Sequence, residues 1–132
     1  MDLKTRSVVD TFTYNVVDPV TGDNVEGMTV NLRPTYSAEW KREDAKLVRQ
    51  MRAKGRNYKP TPDDMMQTRV KLASSVIASW TGFEEDGKKL QCVPSTVERV
   101  LAEYPWLLNQ IDIALGDESN FLTKGSQDSE SA

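Results

Sequence analysis

The chain has 132 residues, of which 38% are hydrophobic and 28% charged, and a formal net charge of −3. This composition predicts one soluble globular domain, and no apolar run approaches the ~18 residues needed to cross a bilayer. The chain holds no histidine and one cysteine, Cys92, which removes the commonest general base and zinc ligand and any internal disulfide. We therefore expect no enzyme, cofactor or metal, although a two-carboxylate hydrolase remains formally open.

Residues 8–33 alternate in the manner of a β-hairpin. The apolar side chains that share a face are Val8, Phe12, Tyr14 and Val16 in the first run and Met28, Val30 and Leu32 in the second. Residues 18–24 between the runs are rich in turn-forming types. Because a lone hairpin is marginal in water, its apolar face is predicted to pack on helices or to pair with another chain.

Four helices are predicted to form a helical core over residues 37–115. Their expected bounds, set by capping residues and prolines, are 37–54, 62–80, 94–104 and 105–115, with Gly116 as the candidate C-cap of the fourth. The residues predicted to face inward are Val97, Val100 and Leu101 in the third helix and Leu107 or Leu108, Ile111 and Leu115 in the fourth. The predicted fold class is therefore mainly α, about four helices with an N-terminal β-hairpin, in a small α+β single domain over residues 1–122. Residues 123–132 are polar and acidic and are predicted to be disordered.

The charge of the chain is unevenly distributed. Residues 37–60 carry eight Lys or Arg against three acidic residues, whereas residues 81–132 carry four against ten. Such asymmetry lets a chain complement itself or its neighbours in an oligomer. The basic helix could also contact phosphates, but Glu39, Glu43 and Asp44 interrupt it and no recognition motif is present. A solvated face or a protein-docking surface is therefore preferred over nucleic acid.

Three further features are interpreted as structural. The acidic turn 84–87 lacks the ligand spacing and closing glutamate of an EF-hand, so it is predicted to be a tight reversal. Cys92 has no base to activate it and is expected to pack as a small hydrophobe. Trp80 extends the apolar stripe of the second helix and is assigned to the core. Trp40 is expected to be partly exposed, while Trp106 fits a core anchor and an interface residue equally.

A recognisable pattern spans residues 65–122. An apolar helix that ends in Trp-Thr-Gly is followed by an acidic Asp-Gly turn, a proline-started helix and an Asn-Phe close. The residues that carry it are Trp80, Gly82, Asp86, Gly87, Pro94, Asn120 and Phe121. This arrangement resembles the tail assembly chaperones of long-tailed, siphovirus-type bacteriophages. The chain departs from their pattern at Val93, where a Ser or Thr cap is expected.

The resemblance implies a mostly helical, self-associating, non-enzymatic protein that binds the tape-measure protein, with the major tail-tube protein as a further candidate partner. It implies a location in the host cell cytoplasm, absence from the mature virion, no membrane contact, and often a longer frameshifted product. The residues proposed to bind a partner are Trp40, Arg49, Met51, Arg52, Met65, Met66 and Trp106. The alternative is a structural virion protein, either a head–tail connector or a tail-tube component, whose hairpin would pair between subunits. A nucleic-acid-binding regulator that uses residues 37–60 comes next.

Overall fold

A computed structural model describes residues 1–123. Within that part of the chain, three strands form an antiparallel sheet in the order β1–β2–β3, and two short strands form a second antiparallel pair. The strands are β1 (Phe12–Val17), β2 (Asn24–Leu32), β3 (Ile77–Thr81), β4 (Glu84–Glu85) and β5 (Lys88–Lys89). The helices are α1 (Ala38–Ala53), α2 (Pro62–Ser75), α3 (Pro94–Glu103) and α4 (Pro105–Gly116), with 3₁₀ turns at Leu3–Thr5 and Glu118–Phe121.

The predicted hairpin is present. Strands β1 and β2 pair from Phe12 opposite Leu32 to Val17 opposite Asn24, with an irregularity after Asn15. Val8 lies outside β1 and forms an isolated bridge with Leu122 instead. The predicted disordered tail lies outside the described residues from position 124 onward. Its first residue, Thr123, is tied to the N-terminal segment, because its backbone N–H donates to the Ser7 carbonyl at 2.8 Å.

The predicted mainly α class is wrong, because the second helix stops early and a third strand follows it. Helix α2 ends at Ser75, and Ile77–Thr81 then pairs with β2 in antiparallel register. The Arg33 N–H also donates to the Val76 carbonyl at 2.7 Å. Short apolar runs fit a helical and a strand period equally well, and this one is rich in β-branched and aromatic residues. Pairing with the open edge of β2 decides the outcome, since that edge carries hydrogen-bonding groups that need partners.

The helix starts follow the sequence closely. Ser37 accepts the Trp40 N–H at 3.3 Å, and Thr61 and Asp64 form a reciprocal capping box. Helices α3 and α4 open at their prolines without a side-chain cap hydrogen bond, as Val93 had suggested for α3. Gly116 does not cap α4, because it is the last residue of that helix and Asp117 occupies the C-cap.

The core lies between the three-stranded sheet and helices α2, α3 and α4. Its largest fully buried side chains include Phe121, Leu32, Leu101, Leu107, Leu108 and Ile111, and the inward positions predicted for α3 and α4 are confirmed. Helix α1 contributes no buried residue. It packs on α2, and Trp40 reaches the core only in part. Across residues 1–123, no helix combines the length and apolarity that a membrane crossing requires.

Candidate protein-docking surfaces

The corner from Trp80 to Pro94 is held together by its own contacts. The Trp80 ring stacks on Phe83 with centroids 4.3 Å apart, and its Nε1 donates to the Leu90 carbonyl at 2.9 Å. Asp86 and Gly87 adopt positive φ between β4 and β5, as a two-residue hairpin turn requires. The predicted tight reversal is confirmed. Trp80 is half-buried on β3 rather than on a helix.

A polar network ties this corner to α3. Arg99 donates to both carboxylate oxygens of Glu85, at 3.2 and 3.0 Å, and also bonds Glu103 at 3.0 Å. The Tyr104 hydroxyl donates to Glu85 at 2.5 Å. These hydrogen bonds from Arg99 and Tyr104 hold the pKa of Glu85 below its ordinary value. The network therefore fixes the acidic hairpin on α3.

We expect Glu85→Gln to lower the stability at pH 7 and to have a smaller effect in acid. The folded-state pKa of Glu85 is depressed below 4.5. The stability that ionised Glu85 contributes is therefore fully present above the pKa of Glu85 in the unfolded chain. It is lost as the pH falls through the lower pKa of Glu85 in the folded protein. Urea unfolding at pH 7 and at about pH 3 measures the difference. Glu84→Gln removes the same charge beside the network, and equal pH dependence for both variants would contradict the assignment.

The described residues offer little for covalent or metal chemistry. Residues 1–123 contain no group of three or more His, Cys, Asp or Glu side chains placed to hold a metal ion. Burial raises the pKa of the Cys92 thiol, and the hydrogen bond from the Trp80 backbone only partly offsets that effect. A protonated thiol is a poor nucleophile at neutral pH. The surfaces that remain of interest are grooves and charged faces.

Two adjacent grooves border the outer side of α2. The α2–α3 groove has a volume of about 340 Å³ and is lined by Met66, Gln67, Val70, Lys71, Glu98 and Ala102. The α1–α2 groove is smaller, about 70 Å³, and is lined by Leu47, Gln50, Met51, Lys54, Asp64, Gln67, Thr68 and Lys71. Gln67 and Lys71 belong to both grooves. Lys71 also lies 3.7 Å from Glu98 across the α2–α3 groove. The two grooves therefore adjoin each other at Gln67 and Lys71, and each has a methionine in its lining. We refer to the pair as the amphipathic trough.

The solvent side of α1 is mainly cationic. At 3.6 residues per turn, the exposed residues on this side span roughly 160° of the helix. We call the set the basic face: Lys41, Arg42, Ala45, Lys46, Val48, Arg49, Arg52 and Ala53. Glu39 forms an ion pair with Arg33, with 3.5 Å between Glu39 Oε2 and Arg33 Nε, and Oε2 of Glu43 is buried. Glu39 and Glu43 lie at one edge of this face, where they line a shallow pocket with Arg42 and Lys46. The exposed Asp44 borders its other edge, beside Lys41 and Val48.

A third groove lies between β1 and α4. It has a volume of about 280 Å³ and is lined by Phe12, Tyr14, Gln110, Ile113, Ala114, Asp117 and Asn120. The Gln110 side chain accepts the Val17 N–H at 3.0 Å and donates to the Val17 carbonyl at 2.7 Å. Tyr14 donates to the same Gln110 oxygen at 2.8 Å. These bonds close the end of the β1 edge and hold the groove in shape.

The residues proposed from sequence are dispersed over several surfaces. Met51 and Met66 line the two α2 grooves, while Arg49 and Arg52 lie on the basic face. Met65 is 55% exposed and lines neither α2 groove. Trp40 is half-buried, and Trp106 is 36% exposed on α4.

Two residues that line these grooves are absent from the partner-binding set proposed from the sequence. Ala102 and Ile113 fall outside the apolar stripes of α3 and α4, so the core pattern gives no reason to select them. Ile113 is 74% exposed. An apolar residue off the core stripe is the signal that could have found Ile113.

Neither a protein-family model, nor a curated protein, nor a solved structure matches this chain. The resemblance to tail assembly chaperones therefore rests on the sequence pattern alone. One element of that pattern also differs in the structure, because Trp80 and its neighbours form a strand rather than the end of a helix.

Proposed function

We propose that this chain is a non-enzymatic assembly chaperone of phage tails, which holds a helical segment of the tape-measure protein during tail morphogenesis. The observation that carries the proposal is the amphipathic trough formed by the two grooves along α2. The identity of the partner comes from the sequence resemblance, and the mode of binding comes from the trough. The host cell cytoplasm is the place where such binding would occur.

The trough has the features of a helix-binding groove. Met66, Val70 and Ala102 provide an apolar floor, and flexible methionines adapt to different apolar side chains. Lys71 and Glu98 lie on its border with opposite charges, which can set the orientation of a bound helix. A tape-measure protein is a long helical chain, so shielding its apolar stripe before the tube assembles would need such a surface.

The direct test is binding of the purified chain to tape-measure fragments from the same genome. We expect Ala102→Arg to weaken binding at least about tenfold, because the larger side chain fills the groove from an exposed position. Its new cation would lie four residues after Glu98, which supports helix α3. Circular dichroism should therefore report an intact fold.

Ala45→Arg is the matched control, since it makes the same substitution on the exposed side of α1 outside the trough. Its affinity should stay near that of the wild type. If the wild-type chain shows no binding at micromolar concentration, the proposed partner is wrong. If both variants bind normally, the partner is right but the trough is not its site. Detection of the chain in purified virions by mass spectrometry would favour a structural virion protein instead.

A further inference from the structure

We infer that the basic face of α1 docks into the β1–α4 groove of a second copy of this chain, giving head-to-tail association. The two surfaces share no residue, and neither belongs to the trough proposed for the tape measure. The inference is therefore independent of the proposed function.

The β1–α4 groove carries acidic charge at one end. Among residues 1–123, Asp117 is the only carboxylate in its lining, and no lysine or arginine of that part of the chain lines it. Asp117 Oδ1 already accepts hydrogen bonds from the Ser119 N–H and hydroxyl, and Oδ2 completes the charged group. Glu118 follows Asp117 and is exposed. This end of the groove coincides with the C-terminus of α4, where the helix dipole adds partial negative charge. A neighbouring cation, Arg69, is already engaged by Asp112 at 2.7 Å.

The groove also presents apolar surface to an occupant. Ile113 lies between Gln110 and Asp117 on the exposed side of α4 and is 74% exposed. Phe12 and Tyr14 form the opposite wall, and the Gln110 hydrogen bonds hold that wall in place. A partner that covered Ile113 while bringing cations to Asp117 would satisfy both features.

The basic face of α1 has that combination. Val48 is 41% exposed and lies among Arg49, Arg52 and Lys41, with the small residue Ala45 between them. Helix α1 is about 24 Å long, whereas the groove from Gln110 to Asp117 spans about 10 Å along α4. Roughly two turns of α1 could therefore lie in the groove, with Val48 against Ile113 and the arginines toward Asp117 and Glu118.

The symmetry of the contact follows from its two unlike surfaces. A contact that joins different surfaces of identical chains is heterologous, so it builds rings or open chains rather than a closed two-fold dimer. The small area and the large share of charge predict a weak, salt-sensitive association.

The test is sedimentation equilibrium of the full chain at about 50 mM and about 500 mM salt. We expect the average mass to rise with protein concentration at low salt and to fall toward the monomer at high salt. Ile113→Lys, and separately Arg49→Glu with Arg52→Glu, should each weaken association at least about tenfold. All three positions are exposed, so the variants should fold normally.

Matched controls carry the same chemical changes elsewhere. Val20→Lys places a lysine at an apolar position that is 90% exposed in the hairpin turn. Arg56→Glu with Lys59→Glu reverses two charges in the loop after α1. Both controls should associate like the wild type.

Mixing the two defective variants decides the geometry. The Ile113→Lys chain keeps its basic face, and the doubly charge-reversed chain keeps its groove. A 1:1 mixture should therefore form mixed dimers and nothing larger. Failure to form them would overturn the head-to-tail arrangement, and so would a wild-type chain that stays monomeric throughout. A monomer that binds duplex DNA with strong salt dependence would overturn the proposal and assign the basic face to nucleic acid.

Discussion

Gly82→Ala should destabilise this protein more than an alanine at any other glycine within residues 1–123. Gly82 has a φ of +81°, and a β-carbon there would lie 2.3 Å from the carbonyl oxygen of Gly27. The atoms it meets are backbone, including the α-carbon of Met28 at 3.1 Å, so no flexible side chain can move aside. We expect a loss of about 3–5 kcal/mol, from the disfavoured φ and the forced separation of β2 from the corner.

Gly22→Ala is the control that separates the effect of the positive φ from the effect of the close backbone contact. Its φ is +78°, almost the same as that of Gly82, but no atom of residues 1–123 lies within 4 Å of its added β-carbon. It should lose only about 1–2 kcal/mol. Urea unfolding followed by circular dichroism measures both variants. Equal losses would show that close packing on Gly27 is unimportant.

Gly82→Ala also tests whether the corner from Trp80 to Pro94 has a binding role. The contacts of Trp80, Gly82 and Phe83 are internal, so we expect stability to fall before partner recognition does. A well-folded Gly82→Ala chain that had lost only its binding to the tape measure would overturn this view and place the partner at the corner.

Phe121→Ala should lower the stability nearly as much as Gly82→Ala, because it leaves a cavity in the core. Phe121 is 1% exposed and meets the edge of Phe12 with ring centroids 5.8 Å apart. Truncating a buried phenylalanine to alanine costs about 3–5 kcal/mol. The Phe121 carbonyl also accepts the Val9 N–H at 2.8 Å, so the cavity should loosen the attachment of the N-terminal segment as well.

Two measurements check this prediction. Urea unfolding gives the stability, and Phe121→Leu, which refills much of the space, should lose less than half as much as the alanine variant. Amide hydrogen exchange at Val9 reports the local attachment and should accelerate beyond the change expected from global stability alone. A cost below about 1 kcal/mol would contradict the assignment of Phe121 to the core.

The local start and stop signals could be predicted from the sequence because they depend on neighbours in the chain. Ser37 and Thr61 cap their helices through hydrogen bonds that span three residues, and Pro94 and Pro105 open helices through a fixed φ. The hairpin belongs with these, since the alternation and the turn composition of residues 8–33 are local too.

The boundary between α2 and β3 could not be predicted in this way. Val76, Ile77 and Trp80 fit a helical stripe as well as a strand face. Their final state depends on β2, more than forty positions earlier in the chain, which offers backbone groups that a helix would leave without partners.

The chemical character of the protein followed from the sequence by itself. The absence of histidine, the single cysteine and the uneven charge predict a protein that acts through its surfaces rather than by catalysis. Only the tertiary structure determined which surfaces exist. It placed Glu39 and Glu43 at one edge of the basic face and left Ile113 exposed beside Tyr14. The physical reason is that capping and turn formation act over a few residues, whereas grooves and charged faces depend on which distant elements pack together.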